Sequence, residues 1–299
     1  MRRMPRFLAL ALACGCFSAP REDPLVIAQG KVHALMESSG SAGALDQWRE
    51  LGLQIIGRYR DQISEESFAD LEAAVRETLA VERLEAAIEK DLAASYDAQA
   101  VATARRFYAS ELGQRIVAAE QALSDPDQRE DLEKFSQDLQ THPPRAIRHD
   151  LAVRLDVAMR SSADLVEMRL LLRREMGRDA EAYLQKTDSL EPTATPISQT
   201  ADLPMRSAMR TQVVSALLFA HRDLSFDELL RYVDFTESRA GRWFFRKLGD
   251  AVESALRAAT RDLEADLEAR LAKREQAKPA AVQASSPETA EPPAEPPAD

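Results

Sequence analysis

Histidines and an arginine–aromatic cluster are the residues whose types and spacing offer chemistry. The four histidines, His33, His142, His149 and His221, are too scattered in sequence for a local metal site. His149-Asp150 and His221-Arg222-Asp223 each put an acid near an imidazole, the arrangement that orients a general base, although surface and helix-cap histidines have the same neighbours. GxxxxGK[ST], GxGxxG, HExxH and GxSxG are all absent, and Gly40-Ser41-Ala42-Gly43 is too short for a phosphate loop. A Ser-His-Asp relay assembled in space stays open. Arg242-Trp243-Phe244-Phe245-Arg246 combines guanidinium groups with rings. Arg242, Trp243 and Arg246 therefore form a candidate contact surface for an anionic headgroup or a partner helix, and the alternative is a core anchor with Phe244 buried. Arg169, Arg173, Arg174 and Arg178 make a basic strip of the kind that is usually a solvated helix face. These residues assign no catalytic group, cofactor or metal ligand.

The chain that must position them has 299 residues, 45% apolar and 30% charged, enough for a packed core. Ten glycines and 6% aromatics, with Ala, Leu, Glu and Arg dominant, predict an all-α fold. A net charge of −11 disfavours nucleic acid as a partner, because phosphate backbones are repelled.

Residues 1–13 have the layout of a secretory signal peptide: Arg2, Arg3 and Arg6, then an apolar run from Phe7 to Ala13. Seven apolar residues rise only about 10 Å as a helix, too short to span a bilayer. Cys14 and Cys16 are the only cysteines, so disulfides and cysteine-ligated metals are excluded from the folded body. Leu10-Ala11-Leu12-Ala13-Cys14 resembles the lipobox of bacterial lipoproteins, although Ala11 stands where that family prefers Leu. The resemblance implies a lipid on Cys14, a tether over 14–24, and outer-membrane delivery because Gly15 follows the cysteine. Ordinary signal peptidase, which would release a soluble periplasmic protein, fits the same small residues.

Helical periodicity fills the body. Phe68, Leu71, Val75 and Leu79, continuing as Leu84, Ile88 and Leu92, predict one long helix from Ser64. Ile147, Leu151, Leu155 and Ala158 predict another after Pro143-Pro144. Phe244, Leu248, Val252, Ala255, Ala259, Leu263, Leu267 and Leu271 predict a long C-terminal helix with a coiled-coil-like end. Asp125-Pro126 reads as N-cap plus first helical residue, and 187–204 as a loop. The Pro/Ala/Glu-rich stretch 275–299 predicts a disordered tail.

One pattern occurs twice. Residues 95–117 and 225–245 both contain Ser-aromatic-Asp followed by Phe-x-x-Ser-x-x-Gly, and Phe107, Ser110 and Gly113 precede Phe235, Ser238 and Gly241 by 128 positions. Ser225 with Glu228 has the form of a capping box, and Ser110 and Ser238 suit a second N-cap. Glycine at the third helical position is unfavourable by about 1 kcal/mol unless another backbone must come close. The motif therefore predicts a tight helical hairpin with the phenylalanine between its arms. Two tandem helical units follow, 25–141 and 145–274.

Phe107-Tyr108-x-Ser110-x-x-Gly113-Gln114, followed by Ile116-Val117, resembles DUF2059, a family of small exported bacterial helical proteins with no settled activity. Glu111 and Arg239 replace its proline, and Thr236 replaces the tyrosine of the second copy. The resemblance implies a helical envelope protein and supplies no catalytic residue. The reading that results is an envelope-anchored interaction or structural module, held to the membrane through its N-terminal lipid and meeting an unidentified envelope protein. A module binding a lipid or peptide is the alternative, and an enzyme with an unrecognised site the third.

Overall fold

The computed structural model describes residues 23–190 and 203–284, and within them the chain is helical with no strand. The signal peptide, Cys14, most of the tether, the core of the 187–204 segment and residues 285–299 lie outside the described residues. Among the described residues twelve α-helices follow in order. They are α1 (Pro24–Ser39), α2 (Asp46–Gly57), α3 (Glu65–Thr78), α4 (Val81–Ala94), α5 (Ala98–Tyr108) and α6 (Glu111–Ala122). After these come α7 (Pro126–Thr141), α8 (Ala146–Met159), α9 (Ser161–Thr187), α10 (Leu203–Ala220), α11 (Phe226–Glu237) and α12 (Arg239–Ala284).

Local chemistry sets most boundaries. Asp23, Ser64, Asp97, Ser110, Asp125 and Ser225 each accept a backbone N–H in the first turn of the helix that follows. Pro24 and Pro126 open their helices, where a missing N–H is harmless. Gly40 closes α1 in the left-handed region at φ 72°, and its N–H reaches the carbonyls of Met36 and Glu37.

Four sequence expectations are corrected. The single helix from Ser64 is two, because Leu79 and Ala80 leave helical geometry (Ala80 at φ −59°, ψ 134°). The apolar stripe steps by five from Leu79 to Leu84 at that point, and both segments still face the core. Ile147 is 56% exposed, so Leu151, Ala152 and Leu155 anchor the inner face of α8 instead. The end of α12 is no free coiled coil: Leu267 is buried, and Arg274 donates to Asp70 of α3 at 2.8 Å. Finally, α12 runs through 275–284, where alanines favour helix despite Pro279.

Two cores organise the bundle, and both draw on either side of 141–144. In the first, Trp48, Ile56, Leu71 and Ile88 meet Leu172, Met176 and Leu184 of α9 and Leu256, Leu263 and Leu267 of α12. In the second, Val101, Ala104, Tyr108 and Ile116 meet Leu151 and Leu155 of α8, Leu218 of α10, Tyr232 and Phe235 of α11, and Phe244 of α12. α12 thus runs through both, so the two motif copies share their packing instead of heading separate bundles.

Ion pairs lock this arrangement. Burial pushes the Asp70 carboxyl up, but hydrogen bonds from Tyr183 and Arg274 and the charges of Arg274 and Arg270 outweigh it and hold it below the usual range. Asp179 on α9 behaves oppositely. It is 5% exposed, one of its oxygens has no partner among the described residues, and burial pushes it to about 6 against the pull of Arg178. Glu264 of α12 and Glu175 add to the rise. With a folded value above the ordinary 3.8, its contribution to stability is full below about pH 4 and is lost as pH rises through about 6. Asp179→Asn is therefore expected to stabilise the fold at pH 7 by about 1–3 kcal/mol and to flatten the dependence between pH 4 and 7. Denaturation midpoints at pH 7 that do not differ between the two proteins would contradict this assignment.

Candidate functional site: the motif seam and the cavity beside it

The two motif copies build their turns alike, although their first helices start differently, α11 on the Ser225–Glu228 capping box and α5 on Asp97. Asp97 caps α5, accepting from the N–H of Gln99 and of Ala100 at 3.0 Å each. At the α5–α6 turn the Phe107 carbonyl accepts from Ser110 N at 3.0 Å and from Ser110 Oγ at 2.6 Å, and Ser110 Oγ accepts from Gly113 N at 3.1 Å. At the α11–α12 turn the Phe235 carbonyl accepts from Ser238 N at 3.0 Å and from Ser238 Oγ at 2.6 Å, while Gly241 N donates to Ser238 Oγ at 3.1 Å. Glycine is required for one reason. A Cβ on Gly113 would lie 2.2 Å from the Phe107 carbonyl oxygen, and one on Gly241 would lie 2.1 Å from that of Phe235.

The copies also meet face to face. Phe107 stacks on Phe235 with ring centroids 3.9 Å apart and planes 4° from parallel. Tyr108 packs its edge on Phe235 and Phe244 at 5.6 and 5.9 Å. Two ion pairs cross the seam reciprocally, Arg239 of α12 to Asp97 at 3.0 Å and Arg115 of α6 to Glu228 at the start of α11. The bond from Ala100 N, helped by Arg239, lowers the Asp97 carboxyl, and the bond from Ser225 N, helped by Arg115, brings Glu228 down to about 2. Phe107, Tyr108, Ser110, Gly113, Phe235, Ser238 and Gly241 are thus brought together, and the hydroxyls of Ser110 and Ser238 are each held in the hydrogen bonds of their own turn.

Beside the seam lies a cavity of about 670 Å³ among the end of α1 and start of α2, the second half of α6, the first turns of α9, the second half of α10 and residues 245–252 of α12. Leu45, Trp48, Val117, Met168, Leu217, Phe245 and Val252 make it apolar, and its charged lining groups are Glu120 and Asp164. Glu120 is held from below: Tyr232 OH donates to it at 2.9 Å, and His221 Nε2 lies 3.2 Å from the same oxygen. Burial, then the charge of Glu120, pushes the phenols of Tyr108 and Tyr232 well above their usual value, so both stay neutral. Burial also raises Asp164, with Arg160 pulling the other way from 3.0 Å. The chemistry on offer is an apolar compartment with acceptor oxygens at its wall.

Sequence reading missed Glu120, Asp164 and the burial of His221, which is 2% exposed. One trace existed: Glu120 stands four residues after Ile116 and so on the buried stripe of α6. His142 and His149 are exposed, and His142 pairs with Asp138 at 2.7 Å. In the aromatic cluster Phe244 is 1% exposed and Trp243 packs half-buried against the second core. Exposed Arg242 and Arg246 line a separate cleft of about 370 Å³ with Val153, Val157 and Arg160. In the basic strip Arg178 pairs with Glu175 and Asp179.

The fold and site define an all-helical protein in which two clasped hairpins border an apolar compartment. Residues 82–141, from α4 to the end of α7, match the family DUF2059, described as an uncharacterized protein conserved in bacteria. That stretch contains the first motif copy and the Tyr108, Val117 and Glu120 walls of the cavity. No curated protein and no solved structure matches the chain. Among the described residues no helix is long and apolar enough to cross a membrane.

Proposed function

We propose that this chain is a binding module of the bacterial envelope that holds an apolar chain with a neutral or cationic head between its helices. The cavity carries the reading. Its volume falls within the range of about 300–1,000 Å³ of small-molecule pockets, its walls are mostly apolar, and its charged lining groups are carboxylates without a lysine or arginine among them. An anionic head would face the carboxylates of Glu120 and Asp164 with no lysine or arginine in the lining to offset them, whereas an amine or amide N–H finds acceptors. The signal-like residues 1–13 and the lipobox-like stretch support export and a lipid on Cys14, with about ten residues of tether, as a periplasmic protein of the outer membrane or, if cleaved conventionally, a soluble one. The second motif copy supports a divergent duplication of the DUF2059 unit.

N-phenyl-1-naphthylamine, an uncharged apolar fluorophore, is expected to bind the purified protein, and dodecylamine is expected to displace it at least tenfold better than dodecanoate. Ala216→Trp, which projects a ring into the cavity, is expected to lower probe affinity at least tenfold with an unchanged circular dichroism spectrum. An Ala216→Trp protein that binds the probe like the wild type would remove the cavity from the account.

A second reading, an interaction module, rests on the Arg242–Arg246 cleft. Glu237 occupies Arg154 there at 2.9 and 2.7 Å, and Asp164 occupies Arg160, while Arg242 and Arg246 point into the cleft beside 63%-exposed Val157. A photo-crosslinker at position 246 that captures one envelope protein in cells, with no probe binding in vitro, would move the conclusion to this reading.

A further inference from the structure

Outside the seam and the cavity, α1 and α4 lie side by side and present two turn-spaced pairs to each other, His33 and Glu37 on α1 and Glu85 and Glu89 on α4. His33 Nδ1 lies 2.5 Å from Glu89 Oε1, and one ligand atom each from His33, Glu85 and Glu89 lie within 4.8 Å of one another. On the other edge of the ring, Nε2 is 3.5 Å from Glu37 Oε1. One imidazole thus sits among three carboxylates, which raise its pKa, the hydrogen bond with Glu89 most of all.

We propose that this cluster is a binding site for a divalent transition-metal ion of the zinc class, with His33 Nδ1, Glu85 and Glu89 as ligands. Imidazole among the donors selects against calcium and magnesium, which take all-oxygen shells. A zinc ion needs N and O atoms about 2.0–2.2 Å away, and the three atoms reach that by small rotations of side chains that are half-exposed (His33) or at the surface edge (Glu85, Glu89). Glu37 has a different part. Its carboxylate, 3.5 Å from Nε2, favours a proton on that nitrogen and so leaves the Nδ1 lone pair for the ion. Three protein ligands leave at least one coordination position for water or an exogenous group. The ion would displace the hydrogen bond between His33 and Glu89 and needs a neutral imidazole, so binding weakens as pH falls. It would also pin α1 to α4, and α1 ends at the Ser39–Gly40 wall of the cavity.

The test uses the untagged chain, freed of metal by EDTA dialysis and titrated calorimetrically with Zn²⁺ in a non-coordinating buffer. One saturable site, a raised melting temperature on Zn²⁺ addition, and no saturable heat from Ca²⁺ are expected. His33→Ala and Glu89→Gln should each lower zinc affinity at least tenfold, and Glu37→Gln should lower it less. His33 is half-exposed and Glu89 lies at the helix surface, so both variants are expected to keep the wild-type melting temperature without metal, which confines their effect to binding. No saturable Zn²⁺ binding, or binding indifferent to both substitutions, would overturn the site, and neither result bears on the cavity probe.

Discussion

Gly113→Ala and Gly241→Ala are each expected to destabilise the fold by about 3 kcal/mol or more, an effect at the upper end for a single added methyl group. The new Cβ would sit 2.2 or 2.1 Å from a carbonyl oxygen that belongs to the rigid turn, with Tyr108 Cα or Thr236 O and Cα the next atoms met. No rotamer relieves such an overlap, so α6 or α12 must move away by about an ångström. That movement breaks the serine cap, itself worth about 1 kcal/mol, and slides Phe107 against Phe235. Gly30 provides the internal control: it lies in exposed mid-helix with nothing within 4 Å of an added Cβ, and Gly30→Ala is expected to stabilise by about 0.5–1 kcal/mol. Urea denaturation with an unchanged slope reads both. A Gly113→Ala protein within 1 kcal/mol of the wild type would show that the turn can open without disturbing the bundle.

Phe235→Ala is expected to remove about 3–5 kcal/mol, and Phe107→Ala somewhat less because Phe107 is only half-buried. Size alone does not distinguish a clasp from ordinary burial, so the double variant matters more than either single one. With rings stacked at 3.9 Å across the seam, the two losses should fall short of additivity by about 0.5–1.5 kcal/mol. Strict additivity would mean that each phenylalanine serves only its own hairpin. Arg239 and Arg115, whose ion pairs cross the same seam at the surface, are expected to add little on their own.

Much of the helical layout was legible because its causes are local. Capping side chains, prolines at helix starts and apolar stripes act within a few residues, so Ser225 with Glu228, Asp125-Pro126 and the Phe244–Leu271 stripe pointed to the helices that form. The motif glycines were legible for a related reason: glycine in the third position of a helix is unfavourable unless something must come close, and here that something is the carbonyl six residues earlier. The break at Leu79–Ala80 was hard to see because neither residue is a breaker and both flanking stripes face the core. The cavity was invisible, since a void is the space left between helices and has no residues of its own.

His33 illustrates the limit most directly. The four histidines are too scattered in sequence for a local metal site, yet α1 and α4 bring His33 against Glu85 and Glu89, 52 and 56 positions away. The residues alone determined that this protein is helical, acidic, free of cysteine in its body, and built on a motif used twice, because composition, capping and periodicity act at short range. Only the tertiary structure decided that the motif copies clasp each other, that an apolar compartment opens beside the clasp, and that Glu120 and His221 meet at its wall. Those features depend on how one helix surface fills the grooves of another, and that fit is a property of pairs of helices far apart in the chain.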